Sequence, residues 1–426
     1  MCKYLPVVLC RRVRYNAHGR ELKSPPHRRH PGELAVVNDT VRTGLDILRE
    51  ESCARLCGMR VGLLANPASV TSDLHHAVPV LASAEVDIAC LFGPQHGFQG
   101  DTQANMIEWE GYTDAALRIP VHSLYGRRRE PSDEMLEECD VVVIDLPDIG
   151  ARPYTYLWTA VLMMRRCAEA GVAVVVLDRP NPIGGTAIEG PVLDGRYTSF
   201  VGLYPLPLRH GLTIGEALGM IHHGEGLGCR LEVIRAAGWR RTAYFEDTGL
   251  PWVLPSPNIP TPLTALLYPG MVLLEGTNIS EGRGTTRPFE IIGAPWIEPD
   301  HFAAELATRR LAGAVFRPLR FTPTWDKHAG EPCGGIQIHI EDRSVFNPVR
   351  CGAVVVATAA ALHPKRFRWS DPPYEYEYHR RPIDMIAGGP GLRETIDGTG
   401  DLAALFEDWK HDEETFGKVR EPFLLY

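Results

Sequence analysis

The 426-residue sequence is too long for one ordinary hydrophobic core, so we expect two domains. Its 44% hydrophobic and 23% charged residues are typical of globular proteins and argue against a largely disordered chain. The formal net charge of -9 argues against nucleic acid or a membrane surface as a partner, because both favour a broad basic surface.

The N-terminal segment differs in composition from the rest of the chain. Residues 1–31 contain eight Lys or Arg and one Glu. The first apolar stretch contains Pro6 and soon meets Arg11, which argues against a signal peptide. We therefore predict that residues 1–40 form a disordered or extraneous arm. The ten cysteines match no metal or redox motif, which favours buried thiols and a cytoplasmic, reducing location.

Four short apolar runs in the first half of the chain predict fully buried strands, at residues 59–66, 86–93, 141–147 and 172–178. Helical patterns at 74–83 and 154–170 alternate with these runs, as in βαβ units. We predict an α/β fold, with a Rossmann-like open parallel sheet and helices on both faces over residues 41–265. No G-x-G-x-x-G follows the first predicted strand, and GxxxxGK(S/T) occurs nowhere in the sequence. The lack of these phosphate-binding motifs argues against a nucleotide-dependent enzyme.

Five prolines between positions 251 and 262 indicate an ordered connector, because proline fixes φ and removes an amide donor. Earlier in the chain, Thr213 and Glu216 match a capping box that starts a helix. Beyond the connector we predict a smaller α+β domain over residues 266–426. Its predicted elements are helices at 301–313, at 349–363 and from 401 onward, and strands near 314–325 and 334–341.

Ligands of open parallel sheets bind beyond the carboxyl ends of the strands, and every predicted strand here ends in a polar loop. The candidates from these four loops are Asn66, then Gln95, His96 and Glu108, then Asp148, Arg152 and Tyr154, and finally Asp178, Arg179 and Asn181. Simpler structural explanations compete with a ligand-binding role for some of these residues. Asp148 and Arg152 could pair only to hold their loop, and Glu108 could be solvated rather than a desolvated acid.

The densest polar loop of the chain covers residues 274–290 in the predicted second domain. Its glycines let backbone amides approach a ligand, and its polar side chains would suit a sugar with hydroxyl, amide and carboxylate groups. These side chains are Glu275, Asn278, Glu281, Arg283, Thr285 and Thr286. A glycine-rich turn with ordinary caps is the competing explanation.

A series of motifs in this sequence resembles the exo-β-N-acetylmuramidase family, formerly known only as a domain of unknown function, DUF1343. The motifs include DLPDIGARPYTY, LDRPNP, SPN ending at Asn258, EGTNISEGRGTTRPFE and CGGIQIH, and the similarity covers roughly residues 41–426. The resemblance implies a Rossmann-like domain, a smaller second domain and an active site in the cleft between them. It also implies a glycosidase without cofactor or metal that acts on small carbohydrate or muropeptide substrates.

Glycoside hydrolysis uses one carboxylic acid to protonate the leaving oxygen and a second carboxylate as base or nucleophile. We expect Glu108 or Asp148 to pair with Glu275, with His96 and Tyr154 as secondary acid–base or positioning groups. Arg152, Arg283 and Asn278 would hold the lactyl carboxylate and the N-acetyl group of the sugar. The other polar residues named above, including Asn258 and Gln95, would bind the substrate.

One position departs from the family pattern. The resemblance implies a Glu immediately before His-Gly-Phe, whereas this chain has Gln95, and an amide neither gives nor takes a proton. The alternatives are therefore a non-catalytic sugar-binding protein and an attenuated hydrolase. Serine and zinc hydrolases are disfavoured, because GxSxG and HExxH are missing. The oligomeric state stays open.

Overall fold

The computed structural model describes residues 40–426 and is organised around a mostly parallel sheet. In this part of the chain the strands are β1 Arg60–Ala65, β2 Asp87–Gly93, β3 Tyr112–Thr113, β4 Pro120–Ser123, β5 Val141–Asp145, β6 Ala173–Leu177, β7 Glu189–Val192, β8 Pro207–Arg209, β9 Leu231–Ile234, β10 Ile291–Ala294, β11 Ala314–Phe321 and β12 Cys333–Ile340. Seven of them form one sheet in the order β3-β4-β2-β1-β5-β6-β9. Each neighbouring pair is parallel except β3 and β4.

Helices cover both faces of this sheet. The helices are α1 Gly44–Glu50, α2 Ala77–Ser83, α3 Asp133–Leu136, α4 Tyr156–Ala170, α5 Ile214–Glu225, α6 Pro262–Met271, α7 Pro299–Thr308, α8 Pro348–Leu362, α9 Pro382–Ala387, α10 Gly391–Asp397 and α11 Leu402–Arg420. Val61 and Leu63 of β1 pack in the apolar cluster of α1 and α2, whereas Leu64 packs in the cluster of α4 and α5. Successive strand residues face opposite sides, so both faces are buried, which confirms the predicted Rossmann-like sheet.

The four predicted strands are confirmed as β1, β2, β5 and β6. The helix predicted at 154–170 is α4, and the capping box of Thr213 and Glu216 starts α5 as predicted. The helix predicted at 74–83 begins later, at Ala77, because Leu74 has φ 68° and the side chain of His76 accepts from the amide of Val78 as the N-cap.

The last third of the chain contains an antiparallel sheet in the order β10-β12-β11, with α7 and α8 packed nearby. This confirms the predicted α+β character. The strand predicted at 314–325 is β11, which ends earlier, and the helix predicted at 301–313 is α7, which begins and ends earlier.

Residues 40–426 belong to one compact unit, so the boundary between the regions 41–265 and 266–426 stays a prediction. The predicted N-terminal arm lies outside the described residues, apart from Thr40. Among the helices of residues 40–426, none has the length and apolar character needed to cross a membrane.

Candidate active site

One cavity is lined by residues from both halves of the chain. It brings together six residues that the sequence singled out, which are Gln95, His96, Tyr154, Asn258, Glu275 and Arg283. The lining also includes Thr155, Tyr268, Tyr374 and Glu375, which the sequence analysis did not select. A concave site with several converging polar groups is the usual form of a small-molecule site.

Glu375 is the buried carboxyl group of this cavity. Its Oε2 accepts a hydrogen bond of 2.7 Å from the Tyr125 hydroxyl, and its Oε1 accepts one of 3.1 Å from the Gln95 amide. Burial raises the pKa of Glu375 to about 7, and the nearby charge of Glu275 adds to this effect. Glu375 is therefore a carboxyl group that exchanges a proton close to neutral pH.

Glu275 has a different environment in the same cavity. Its Oε1 accepts from Arg283 Nη2 at 2.5 Å, and its Oε2 accepts from the Tyr374 hydroxyl at 2.6 Å. A guanidinium and a hydroxyl therefore hold the two oxygens of Glu275. When two carboxyl groups of one site lie in contrasting environments, one can serve as the acid while the other serves as the charged carboxylate.

Arg283 lies between two acidic residues. Its Nε donates to Glu281 at 3.1 Å, and Glu281 also accepts from Lys327 Nζ at 2.9 Å. Although burial opposes the charged form, Glu275 and Glu281 keep the pKa of Arg283 above its usual range. The loop at 274–290 therefore places a permanent cation at the cavity wall.

The side chain of Gln95 is fixed by three hydrogen bonds. Thr155 donates to its Oε1 at 2.6 Å, and its Nε2 donates to the Tyr125 hydroxyl and to Glu375, both at 3.1 Å. Thr155, Gln95 and Tyr125 thus form a chain of donors that ends on the carboxyl group of Glu375. Gln95 positions this carboxyl group and takes no part in proton transfer itself.

His96 lines the cavity with a left-handed backbone, at φ 70°. Its Nδ1 lies 2.7 Å from the carbonyl oxygen of Thr102, which can only accept, so Nδ1 carries the hydrogen and Nε2 is unprotonated in the neutral ring. Burial lowers the pKa of His96 to about 4. At neutral pH His96 therefore offers Nε2 as a hydrogen-bond acceptor.

Two tyrosines complete the wall. Tyr154 and Tyr268 are buried with ring centroids 5.9 Å apart, and burial raises the pKa of each hydroxyl well above its usual value. The Tyr154 hydroxyl has no hydrogen-bond partner among residues 40–426. A buried and unpaired donor is costly, so this hydroxyl is available to a bound ligand.

Both residues that the sequence proposed as the first-domain acid lie outside the cavity. The Glu108 side chain is 48% exposed, with Arg129 3.8 Å away, so it lacks the burial that the acid role requires. Asp148 is buried, but its Oδ2 accepts from the amide of Gly150 at 2.6 Å and it lines a neighbouring pocket. Neither side chain contributes to the cavity wall.

Arg152 is also absent from the cavity, and it makes no ion pair with Asp148. It is fully buried, and its guanidinium donates to the carbonyl oxygens of Val201, Met385 and Ile386. Burial lowers the pKa of Arg152 to about 9. Arg152 therefore joins the loop after β5 to the end of α9, and the substrate-binding role predicted for it has no support from its position.

The other predicted ligands outside the cavity hold loops in place. In the first half of the chain, Asn66 donates to the carbonyl oxygen of Pro255, Arg179 pairs with Asp145, and Asn181 donates to the carbonyl oxygen of Leu212. Asp178 accepts from Thr213, Gly215 and Tyr426. In the loop at 274–290, Asn278 bonds Arg366 and Arg368, Glu281 accepts from Arg283 and Lys327, and Thr285 donates to the carbonyl oxygen of Gly282. Thr286 is exposed. These side chains replace the backbone partners that irregular loops lack.

The most important residue that the sequence analysis missed is Glu375. The only sequence signal is the run YEYEY at 374–378, in which carboxyl groups alternate with aromatic rings. In the structure, Glu375 and Tyr376 have φ angles of 44° and 65°. Such left-handed backbone at non-glycine residues clusters at functional sites, but it is not visible in a sequence.

Family comparisons match nearly all of the described chain. A family model described as exo-beta-N-acetylmuramidase NamZ, N-terminal, matches residues 61–263, and its C-terminal counterpart matches residues 266–426. The peptidoglycan beta-N-acetylmuramidase NamZ of Bacillus subtilis (strain 168) is 41% identical over 387 residues, or 91% of this chain and 91% of that protein.

Two crystal structures of DUF1343 family proteins from Bacteroides fragilis NCTC 9343 have the same fold. The first has a TM-score of 0.82 and 34% identity, and the second has a TM-score of 0.70 and 26% identity. Each match covers 91% of this chain and 99% of the other chain.

Proposed function

We propose that this chain, which belongs to the exo-β-N-acetylmuramidase NamZ family, removes N-acetylmuramic acid from the non-reducing ends of peptidoglycan fragments. The family predicted from the sequence motifs is confirmed by both family matches and by the 41% identity to the Bacillus subtilis enzyme. The observation in the structure that supports hydrolysis most directly is the pair of dissimilar carboxyl groups, Glu375 and Glu275, on one cavity.

Glu375 is the general acid in this proposal. A group with a pKa of about 7 is protonated in part of the population at neutral pH and can give its proton to the leaving glycosidic oxygen. Both of its oxygens already accept hydrogen bonds from Tyr125 and Gln95, so the acidic proton is directed away from those donors.

Glu275 supplies the second carboxylate. Its negative charge, oriented by Arg283 and Tyr374, stabilises the positive charge that develops on the sugar ring as the glycosidic bond breaks. Arg283 Nε and Nη2 are occupied by acidic partners, and its remaining nitrogen, Nη1, would bind the lactyl carboxylate of the substrate. His96 Nε2 and the Tyr154 hydroxyl would bind polar groups of the sugar.

The replacement at Gln95 does not remove the acid from the cavity. Glu375 Oε1 lies 3.1 Å from the Gln95 amide, so a carboxyl group is present beside the position where the family pattern has one. This favours a working hydrolase over the sugar-binding protein and over the attenuated enzyme.

A substrate panel tests the function. The chain is incubated with a chromogenic β-muramide, with N-acetylmuramic acid linked β-1,4 to N-acetylglucosamine, and with the matched β-glucosaminide, which lacks the lactyl carboxylate. We expect monosaccharide release from both muramic substrates and much slower turnover of the glucosaminide. A folded protein that turns over none of them would support the sugar-binding protein instead.

We also propose a reducing compartment for this protein. All eight cysteines of the described residues are free thiols, and Cys90 and Cys139 keep their sulfurs 3.6 Å apart without a bond. Disulfides form and persist mainly in oxidising compartments. Because the sulfurs of Cys90 and Cys139 lie close together, their oxidation state would differ between an oxidising and a reducing compartment. Mass spectrometry of protein isolated with rapid alkylation should find both thiols reduced.

A further inference from the structure

A second pocket lies beyond the carboxyl ends of three adjacent strands. Ala68 and Val70 follow β1, Pro147 follows β5, and Pro180 follows β6. The order of the sheet reverses between β1 and β5. After β1 the chain adds β2 and β4 toward one edge, and then it returns to place β5 and β6 on the other side of β1. Ligands of open α/β sheets bind at such a point, and the loops after β1, β5 and β6 form this pocket there.

The catalytic cavity and this second pocket are separate. Pro255 lines the second pocket, whereas the next residue, Ser256, lines the cavity. The Pro255 carbonyl accepts from Asn66 Nδ2 at 2.8 Å and from the Tyr156 hydroxyl at 2.9 Å, so this stretch of chain is fixed between them.

The walls of the second pocket are apolar and rigid. Trp252 and Phe245 pack edge to face with centroids 4.7 Å apart, and Trp252 Nε1 donates to the carbonyl of Ile259. Five prolines complete the wall, which are Pro147, Pro180, Pro182, Pro251 and Pro255. Fixed aromatic and proline faces form a pocket before any ligand arrives, and they suit a flat ligand with an apolar face.

The charged groups of the pocket leave it without an excess of positive charge. Arg179 lies on the wall, but it is neutralised by Asp145, whose oxygens lie 2.6 and 2.9 Å from Arg179 Nε and Nη2. Asp148 has a side chain that is 5% exposed, and its Oδ1 has no hydrogen-bond partner within residues 40–426. Its Oδ2 accepts from Gly150 and lies 3.5 Å from His210 Nε2. The pocket therefore offers an acceptor to a donor and disfavours an anion.

We propose that this pocket is a second ligand site for a neutral N-acetylhexosamine, which places an apolar face on Trp252 and donates a hydroxyl or amide hydrogen to Asp148. The choice of sugar rests on the proposed function, because the peptidoglycan fragments that carry N-acetylmuramic acid also carry neutral N-acetylglucosamine. In the proposed function the anionic N-acetylmuramic acid binds in the other cavity, at Arg283 Nη1.

Isothermal titration of the full chain with N-acetylglucosamine tests the site. Asp148→Asn keeps an oxygen for the Gly150 amide but removes the charge, and we expect affinity to fall by about 10-fold or more. Val253→Trp fills the pocket and should abolish binding. Glu375→Gln, which changes only the catalytic cavity, should leave the affinity unchanged, and N-acetylmuramic acid should bind the pocket more weakly than N-acetylglucosamine. Melting curves identify any variant that fails to fold.

The pocket assignment is overturned by two outcomes. One is no saturable binding of N-acetylglucosamine to the wild-type chain. The other is binding that survives in both Asp148→Asn and Val253→Trp but is lost in Glu375→Gln. Turnover of a β-muramide is measured in the same preparations. Sugar binding without turnover would reject the proposed function alone, and turnover without sugar binding would reject the second site alone.

Discussion

The environment of Glu375 determines how kcat/KM should depend on pH. Burial raises the pKa of Glu375 to about 7, and the acid form is the active one, so kcat/KM should fall as the pH rises through about 7. The Tyr125 hydroxyl stabilises the carboxylate form and lowers this pKa, so Tyr125→Phe should move the alkaline limb to higher pH. The measurement is the pH profile of kcat/KM for both proteins. A limb that stays in place or moves to lower pH would contradict this role.

Gln95 should be less important than its place in the family pattern suggests. Gln95→Ala removes neutral hydrogen bonds but leaves Tyr125 on Glu375, so kcat/KM should fall by about 10-fold or less. Gln95→Glu places a second carboxyl group beside Glu375, and their repulsion should move the alkaline limb to higher pH. A large gain in activity for Gln95→Glu, combined with no loss in Glu375→Gln, would show that the acid belongs at position 95.

Residue types and local density selected six of the residues that line the cavity. Glu275 and Arg283 stood out because a glycine-rich loop with many polar side chains needs a ligand or many backbone partners. The same reasoning selected Arg152 and Asn278, because a sequence does not show whether a side chain faces a cavity or a row of carbonyls. Glu375 escaped because its role depends on burial by residues far away in the chain.

At the scale of elements, the C-terminal residue is tied to the end of β6. The Tyr426 hydroxyl donates to Asp178 Oδ2 at 2.7 Å, and the Tyr426 ring packs 5.1 Å from Trp239. Burial raises the pKa of Asp178 from 3.8 to about 6, and the hydrogen bond from Tyr426 opposes that rise. The folded protein therefore holds this proton more tightly than the unfolded chain, and the contribution of Asp178 to stability falls as the pH rises through this window.

Tyr426→Phe should cost about 1 to 3 kcal/mol of unfolding free energy at pH 8, where Asp178 is charged. The cost should shrink at pH 5, where Asp178 is mostly protonated and needs this donor less. Urea unfolding at both pH values measures the difference, with Tyr378→Phe as a matched control because Tyr378 is 62% exposed. An equal loss at both pH values would mean that the hydroxyl stabilises the fold through its other partner, the Ala236 amide, and not through Asp178.

In the large sheet, the strands that could be predicted are the ones buried on both faces. β1, β2, β5 and β6 are nearly continuous apolar runs, because helices cover both faces of the sheet. The strands that escaped prediction lie at or near the edges. β9 is mostly half-buried, and β4 begins with Pro120, so neither has a clear apolar run.

At the scale of the whole molecule, segments far apart in the sequence build the cavity. The loops after β2 and β5 and the loop at 274–290 were recognised from their polar residues, and the strand-end rule placed the first two together. Glu375 lies 280 residues from Gln95 in sequence, although the two side chains share a hydrogen bond. Only the packing of the chain against itself brings a carboxyl group to the place where the sequence lacks one.

The comparison of two glutamates tests this account most directly. Glu375 is buried in the cavity, whereas Glu108 is exposed outside it and serves as the matched control. On the best muramic substrate, kcat/KM for Glu375→Gln should fall by about 10²- to 10⁴-fold, with an unchanged melting temperature, while Glu108→Gln stays close to the wild type. A Glu375→Gln protein with nearly full activity, or a loss of this size in Glu108→Gln alone, would contradict the assignment of Glu375 as the acid.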